Sequence, residues 1–240
     1  MTILAILLLT AVGPARAADK PASSCVDCHR GLAPSETLAH TFSDWEGSKH
    51  AQAGVACQDC HKGDPAAKDE KAAHKGMLRS GDARSSVYFT NIPATCGACH
   101  QAEFSDFKKS AHFRELKASG RGPNCVTCHG AMANHILTPR ELETVCTVCH
   151  RKPVSAQATL MSLGTSKKAV ERLAEAVARA KEKGLDAGAQ VKELEAVRGE
   201  QREALEEWHT FKMNAVLRRS QQIIHRCDTA ISELKVKGLE

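Results

Sequence analysis

Ten of the 11 cysteines and five of the 12 histidines share one spacing. Cys25-Val-Asp-Cys28-His29 reads C-x-x-C-H, as do Cys57-Gln-Asp-Cys60-His61 and Cys96-Gly-Ala-Cys99-His100. Cys125-Val-Thr-Cys128-His129 and Cys146-Thr-Val-Cys149-His150 complete the set. Two thiols three residues apart lie on one face of a helical turn. They can add to two vinyl groups on one side of a porphyrin, while the adjacent imidazole swings under the ring to the iron. The spacing is the attachment signature of c-type haem. It predicts five haem c groups, with the ten cysteines as attachment points and the five motif histidines as proximal ligands.

Other uses of paired cysteines fit less well. A structural zinc site takes two C-x-x-C pairs per metal and has no need of a histidine beside each. A redox C-x-x-C comes singly, near a strand–helix pattern. A disulfide framework gives no reason for His after every second Cys. Cys227 stands outside the motifs, in an apolar helical stripe, and reads as a small buried side chain.

A bis-histidine haem needs a second imidazole, and seven histidines lie outside the motifs: His40, His50, His74, His112, His135, His209 and His225. An internal repeat selects two of them. Phe42-Ser-Asp-Trp45-Glu-Gly-Ser48-Lys-His50 aligns with Phe104-Ser-Asp-Phe107-Lys-Lys-Ser110-Ala-His112. Each copy sits between two motifs. Its aromatics and histidine are expected on one helix, with the rings against porphyrin and His50 or His112 reaching an iron. His74 and His135 follow the second motif of each half, with Met77 and Met132 as rival ligands that would raise the potential. The chain thus reads as two dihaem modules, Cys25 to about His74 and Cys96 to about His135, plus a fifth haem at Cys146. That fifth haem lacks a following histidine in the haem region. His209 is the first candidate to supply one, ahead of His225, with His40 a further contender.

The elements holding these residues are expected to be mainly α: a loop-rich multihaem cytochrome c region built around stacked haems, then a C-terminal helical hairpin or small bundle. Aromatic residues are only 4% of the chain, so the usual large core side chains are scarce and cofactors must fill the haem region. Residues 153–240 carry no motif, and apolar stripes at helical spacing run on either side of a break at Lys183 to Gly188. Residues 1–17 read as a secretory signal peptide, an apolar run followed by Ala15-Arg16-Ala17 and cleaved after Ala17. The run is about half the length of a membrane span, so no stable span is expected after cleavage. The pentahaem region then covers 18–152, and the location is periplasmic or otherwise exported. The formal net charge of +5 would be offset by haem propionates, which removes the case for a nucleic-acid partner.

Five motifs with interleaved histidines make the chain resemble the multihaem cytochromes c. The S-x-H segments, Cys128-His129-Gly130 with His135 beyond it, and the haem-free C-terminal helices are similar to the superfamily of pentahaem nitrite reductases and octahaem hydroxylamine-oxidising enzymes. The resemblance covers 25–150. It implies close haem packing and either of two functions. One is electron transfer along mostly bis-His haems, between a quinol-oxidising membrane complex and a periplasmic reductase or outer-membrane conduit. The other is reduction or oxidation of small nitrogen or sulfur compounds at one five-coordinate haem. The chain departs from the reductases in that all five motifs end in His and its one tyrosine, Tyr88, lacks their active-site context. No catalytic residue is assigned. Homo-oligomers through the C-terminal helices are a further expectation.

Overall fold

The computed structural model describes residues 23–31, 40–132 and 137–239, and the signal-peptide reading of 1–17 lies outside them. Among the described residues the chain is mainly helical and holds no strand. Its first part is ten short helices joined by turns. They are α1 (Ser24–His29), α2 (Phe42–Glu46), α3 (Lys49–Gln52), α4 (Cys57–His61) and α5 (Glu70–Ala73). Then come α6 (Ile92–Cys96), α7 (Gln101–Phe107), α8 (Ala111–Ser119), α9 (Cys125–His129) and α10 (Pro139–Thr147). The second part is three long helices, α11 (Val154–Glu182), α12 (Gly188–Glu207) and α13 (Met213–Val236), with a 3-10 turn at Trp208–Thr210.

The two parts are held differently. The apolar core cluster lies in the long helices and their flanking residues Ala187 and Leu239, with Leu173, Val197, Val216, Ile223, Cys227 and Leu234 all fully buried. Burial of such side chains contributes about 1.5–3 kcal/mol each. Buried polar groups there are paired: Ser166 donates to Gln201 Oε1 at 2.7 Å, and Gln190 Nε2 donates to Glu233 at 2.7 Å. Before Val154, buried apolar side chains are few and scattered: Ala51, Ala56, Phe107, Leu116 and Leu142, with Pro93. Ten short helices with so little apolar surface hidden from water have no protein core of their own.

The first long helix begins at Val154, at the start of the motif-free region 153–240. The apolar stripe after the break at Lys183 to Gly188, read from the sequence as continuous, is broken at an elbow where Phe211 adopts φ 57°. The result is a three-helix bundle. Left-handed backbone is unfavourable for a residue with a Cβ, by roughly 1–2 kcal/mol, so surrounding contacts must hold it. Those contacts come from the first part, because the elbow packs on α7. No described helix is long and apolar enough to cross a membrane.

Candidate functional site

The motifs are placed by caps and turns. Asn124 accepts from Thr127 N at 3.0 Å and starts α9, while its Nδ2 donates to Phe89 O at 2.9 Å. Asp59 reaches back to Ala56 N at 2.7 Å and starts α4. Ser24 N donates to Pro65 O at 2.8 Å, tying the first motif to the segment after the second. Ser86 Oγ donates to Cys60 O, and Thr95 Oγ1 donates to Ser86 O at 2.6 Å, linking the second motif to the third.

The F-S-D repeat has a sharper internal logic than one helix. Each copy is two helices broken at the serine. Ser48 caps α3, accepting from Ala51 N at 3.1 Å, and Ser110 caps α8, accepting from Phe113 N at 3.0 Å. Both serines are 1% exposed. A buried N-cap fixes where its helix begins. His50 and His112 each follow two residues later, so S-x-H sets the direction of the imidazole. The expectation of a single helix carrying aromatics and histidine together is corrected here. The serine side chain satisfies the new helix's free N–H groups and ends the old one.

The imidazoles come in five facing pairs. His29 faces His74 with ring centroids 6.1 Å apart, and His61 faces His40 at 5.9 Å. His100 faces His50 at 6.2 Å, His129 faces His209 at 6.2 Å, and His150 faces His112 at 5.9 Å. Every motif histidine is paired once, and each partner lies outside the motifs. A metal–imidazole bond is about 2 Å and a ring nitrogen lies about 1 Å from its centroid, so two imidazoles on opposite sides of one metal stand about 6 Å apart. The donor set fits a metal on an axis between two histidines. Among the described residues no three of His, Cys, Asp or Glu converge on one point. All 11 cysteines are free thiols, so no disulfide framework is present.

The pairing crosses the modules. His50, between motifs one and two, faces the histidine of motif three. His112, between motifs three and four, faces that of motif five. Each repeat thus skips the next motif and reaches the one after it. The two halves of the motif region are interlocked rather than self-contained. His209, expected at the fifth motif, faces the fourth. His40, left as a contender, faces His61. Its signal was its place one residue before the Thr41 cap of α2, where Asp44 and Thr41 close a capping box. His225 is exposed on α13 and has no ring partner among the described residues. His135 lies outside the described residues. Met77 packs against Gly63, where an added Cβ would come within 3.2 Å of its sulfur.

Burial and second contacts tune the rings. His209 Nδ1 donates to Glu206 O at 3.1 Å, and His40 Nδ1 bonds Thr41 O at 3.3 Å. A carbonyl only accepts, so these bonds hold the proton on Nδ1 and leave Nε2 as the donor atom. Burial, then the neighbouring His40 and His29, lowers the His61 pKa. Burial, then His150, lowers that of His112. Both therefore favour the neutral, ligating form. His112 Nδ1 is buried without a partner. Its ring packs edge-on against Phe211 at 4.3 Å, and Phe211 also meets Phe107 and Trp208.

Thiols of successive motifs are neighbours. Cys57 is pushed up by burial and then by Cys25, and Cys60 by burial and then by Cys96. A hydrogen bond between Cys96 and Cys125 raises the first and lowers the second. Cys128 is pushed up to about 11 by burial and by Cys146. The motifs therefore stand in space in their sequence order, one to five.

The chain matches no family model, no curated protein and no solved structure.

Proposed function

We propose that the protein is an exported multihaem cytochrome c that carries electrons through five covalently bound bis-histidine haems. The observation that carries this reading is the set of five motif histidines, each facing one other histidine at 5.9–6.2 Å. The haem, when bound, supplies a one-electron iron couple whose potential the ligands set. This chain's residues do the rest. The ten motif thiols tether each group at one edge. Cys25, Cys57, Cys96, Cys125 and Cys146 begin tethers whose neighbours are the tethers of the next motif, which favours short steps from one group to the next. The paired imidazoles would hold each iron between two nitrogens of fixed rings, which would keep reorganisation small. The scarcity of apolar core before Val154 supports the same reading, since the cofactors would be the interior.

In this reading the partners are a quinol-oxidising membrane complex on one side and a periplasmic reductase or conduit on the other. A substrate-binding, five-coordinate haem is the alternative, and all five facing pairs weigh against it. Pyridine haemochrome assay and EPR of the oxidised protein test both. Five haems per chain, all low-spin and inert to cyanide and nitrite, are expected. Fewer than five, or a high-spin haem that binds either ligand, would overturn the reading.

A further inference from the structure

Three exposed apolar side chains lie in or just after the fifth motif. Val148, inside the motif, is 83% exposed; Val154 and Met161 on α11 are 62% and 61% exposed. Val154 and Met161 are two turns apart on one helix face, about 10 Å along its axis. Scattered exposed apolar side chains are ordinary, but two of these share one helix face and the third lies six residues before the first of them. The charge around them is mostly positive, with Glu143 as the acid held beside the start of α11. From Thr144 to Val170 the chain has no Asp or Glu, while Arg151, Lys152, Lys167 and Lys168 are all exposed. The nearest acid in sequence, Glu143, is engaged by Gln157 Nε2 at 2.9 Å.

A cleft beside the start of α11 extends this surface. It has a volume of about 560 Å³, and Ser155, Phe211, Lys212, Asn214 and Arg218 line it with no carboxylate among its walls. Phe211 is the residue that touches the His112 ring, so the cleft reaches the side of the fifth pair. An apolar centre with a basic rim, at one end of an ordered series of sites, has the anatomy of a transient protein interface. Its rim would steer an oppositely charged protein into place.

We propose that this face, centred on Val148, Val154 and Met161, is the docking surface for an acidic redox protein that exchanges electrons at the fifth motif. The inference rests on the electron-transfer reading. In the step tested, one electron leaves the partner's reduced cluster and one ferric iron becomes ferrous.

The test uses the full-length, haem-loaded protein and a reduced small acidic [2Fe–2S] ferredoxin as probe, mixed by stopped flow across a salt series. Dithionite, a small anionic reductant, is run in parallel. The variants are Lys152→Glu with Lys168→Glu, and Val148→Ser with Met161→Ser. The control is Arg179→Glu with Lys235→Glu, in the far groove between α11 and α13. The ferredoxin rate should fall steeply with salt, drop at least tenfold in the charge reversal at low salt, and drop severalfold in the serine pair. The control should stay within twofold of the parent. A salt-independent rate, or an equal loss in the control, would overturn the docking surface. So would an equal loss with dithionite, which would mean general anion attraction. If dithionite reduces parent and variants alike while ferredoxin fails to discriminate, docking falls and the electron-transfer reading stands. If dithionite reduces none of them, the electron-transfer reading falls.

Discussion

His209 illustrates how one side chain is brought to a motif from far along the chain. Its Nδ1 proton is fixed on Glu206 O at 3.1 Å, and its ring stands 6.2 Å from His129. His209→Ala should therefore convert one low-spin haem to a high-spin, cyanide-binding one in EPR. His225→Ala should leave the spectrum unchanged, because that residue is exposed on α13. The opposite result would reverse the assignment. Cys227 makes a second prediction. It is fully buried, and burial pushes its thiol up from 9.0 to about 11. Above the ordinary value the unfolded chain loses this proton while the folded one keeps it. Folding is then linked to proton retention, and stability falls as pH rises from about 9 to about 11. Denaturant melts followed by circular dichroism should show that decline in the parent. They should show a shallower one in Cys227→Ala, whatever the absolute loss from the cavity.

At the scale of elements, caps and elbows matter more than helix length. Asn124→Ala removes the cap of α9 and strands the Phe89 carbonyl, an expected loss of about 2 kcal/mol in denaturant melts. Asn124→Asp keeps the cap but sets a buried carboxylate oxygen against the Phe89 carbonyl, so it should lose at least as much. Phe211 holds a left-handed backbone and an aromatic cluster at once. Phe211→Ala is expected to cost about 2–3 kcal/mol, since the ring is half-buried. Phe211→Gly should be at least as stable as the alanine variant, because glycine accepts φ 57° without strain. An alanine variant clearly more stable than glycine would mean that the turn relaxes when the ring is lost. These elements were unevenly legible in the sequence. The S-x-H repeat was visible, yet its break at the serine was not, because the aromatic spacing also suits a continuous helix. Nothing at Trp208–Phe211 resembles a helix stop. No Gly or Pro marks it, and packing against α7 and α12 holds the bend. Which histidine meets which motif is set by folding through space, so the modular order of the sequence suggested partners that the structure interleaves.

As a whole, the molecule joins a bundle with its own apolar core to a region with few buried apolar side chains. The apolar core cluster runs from Leu163 to Leu239 and includes no residue before them. A chain made without haem attachment should therefore show hydrogen-exchange protection confined to α11, α12 and α13. The segment from Cys25 to His150 should exchange fast until the cofactors are attached. Strong protection before Val154 in the haem-free chain would contradict this division. The mainly helical class and the change of character after the fifth motif were readable from composition and stripe. The split in what stabilises each part was only implied, through the scarcity of aromatic residues.

The interleaved pairing also sets a timetable for assembly. A chain emerging N-terminus first brings out His40 before His61, His50 before His100, and His112 before His150. These three sites meet their second imidazole as soon as their own motif appears. The first must wait for His74. The fourth must wait for the whole of α11 and α12 to pass before His209 arrives. An inner rung of the ladder is thus the last to be closed, and only a chain finished past the elbow completes it.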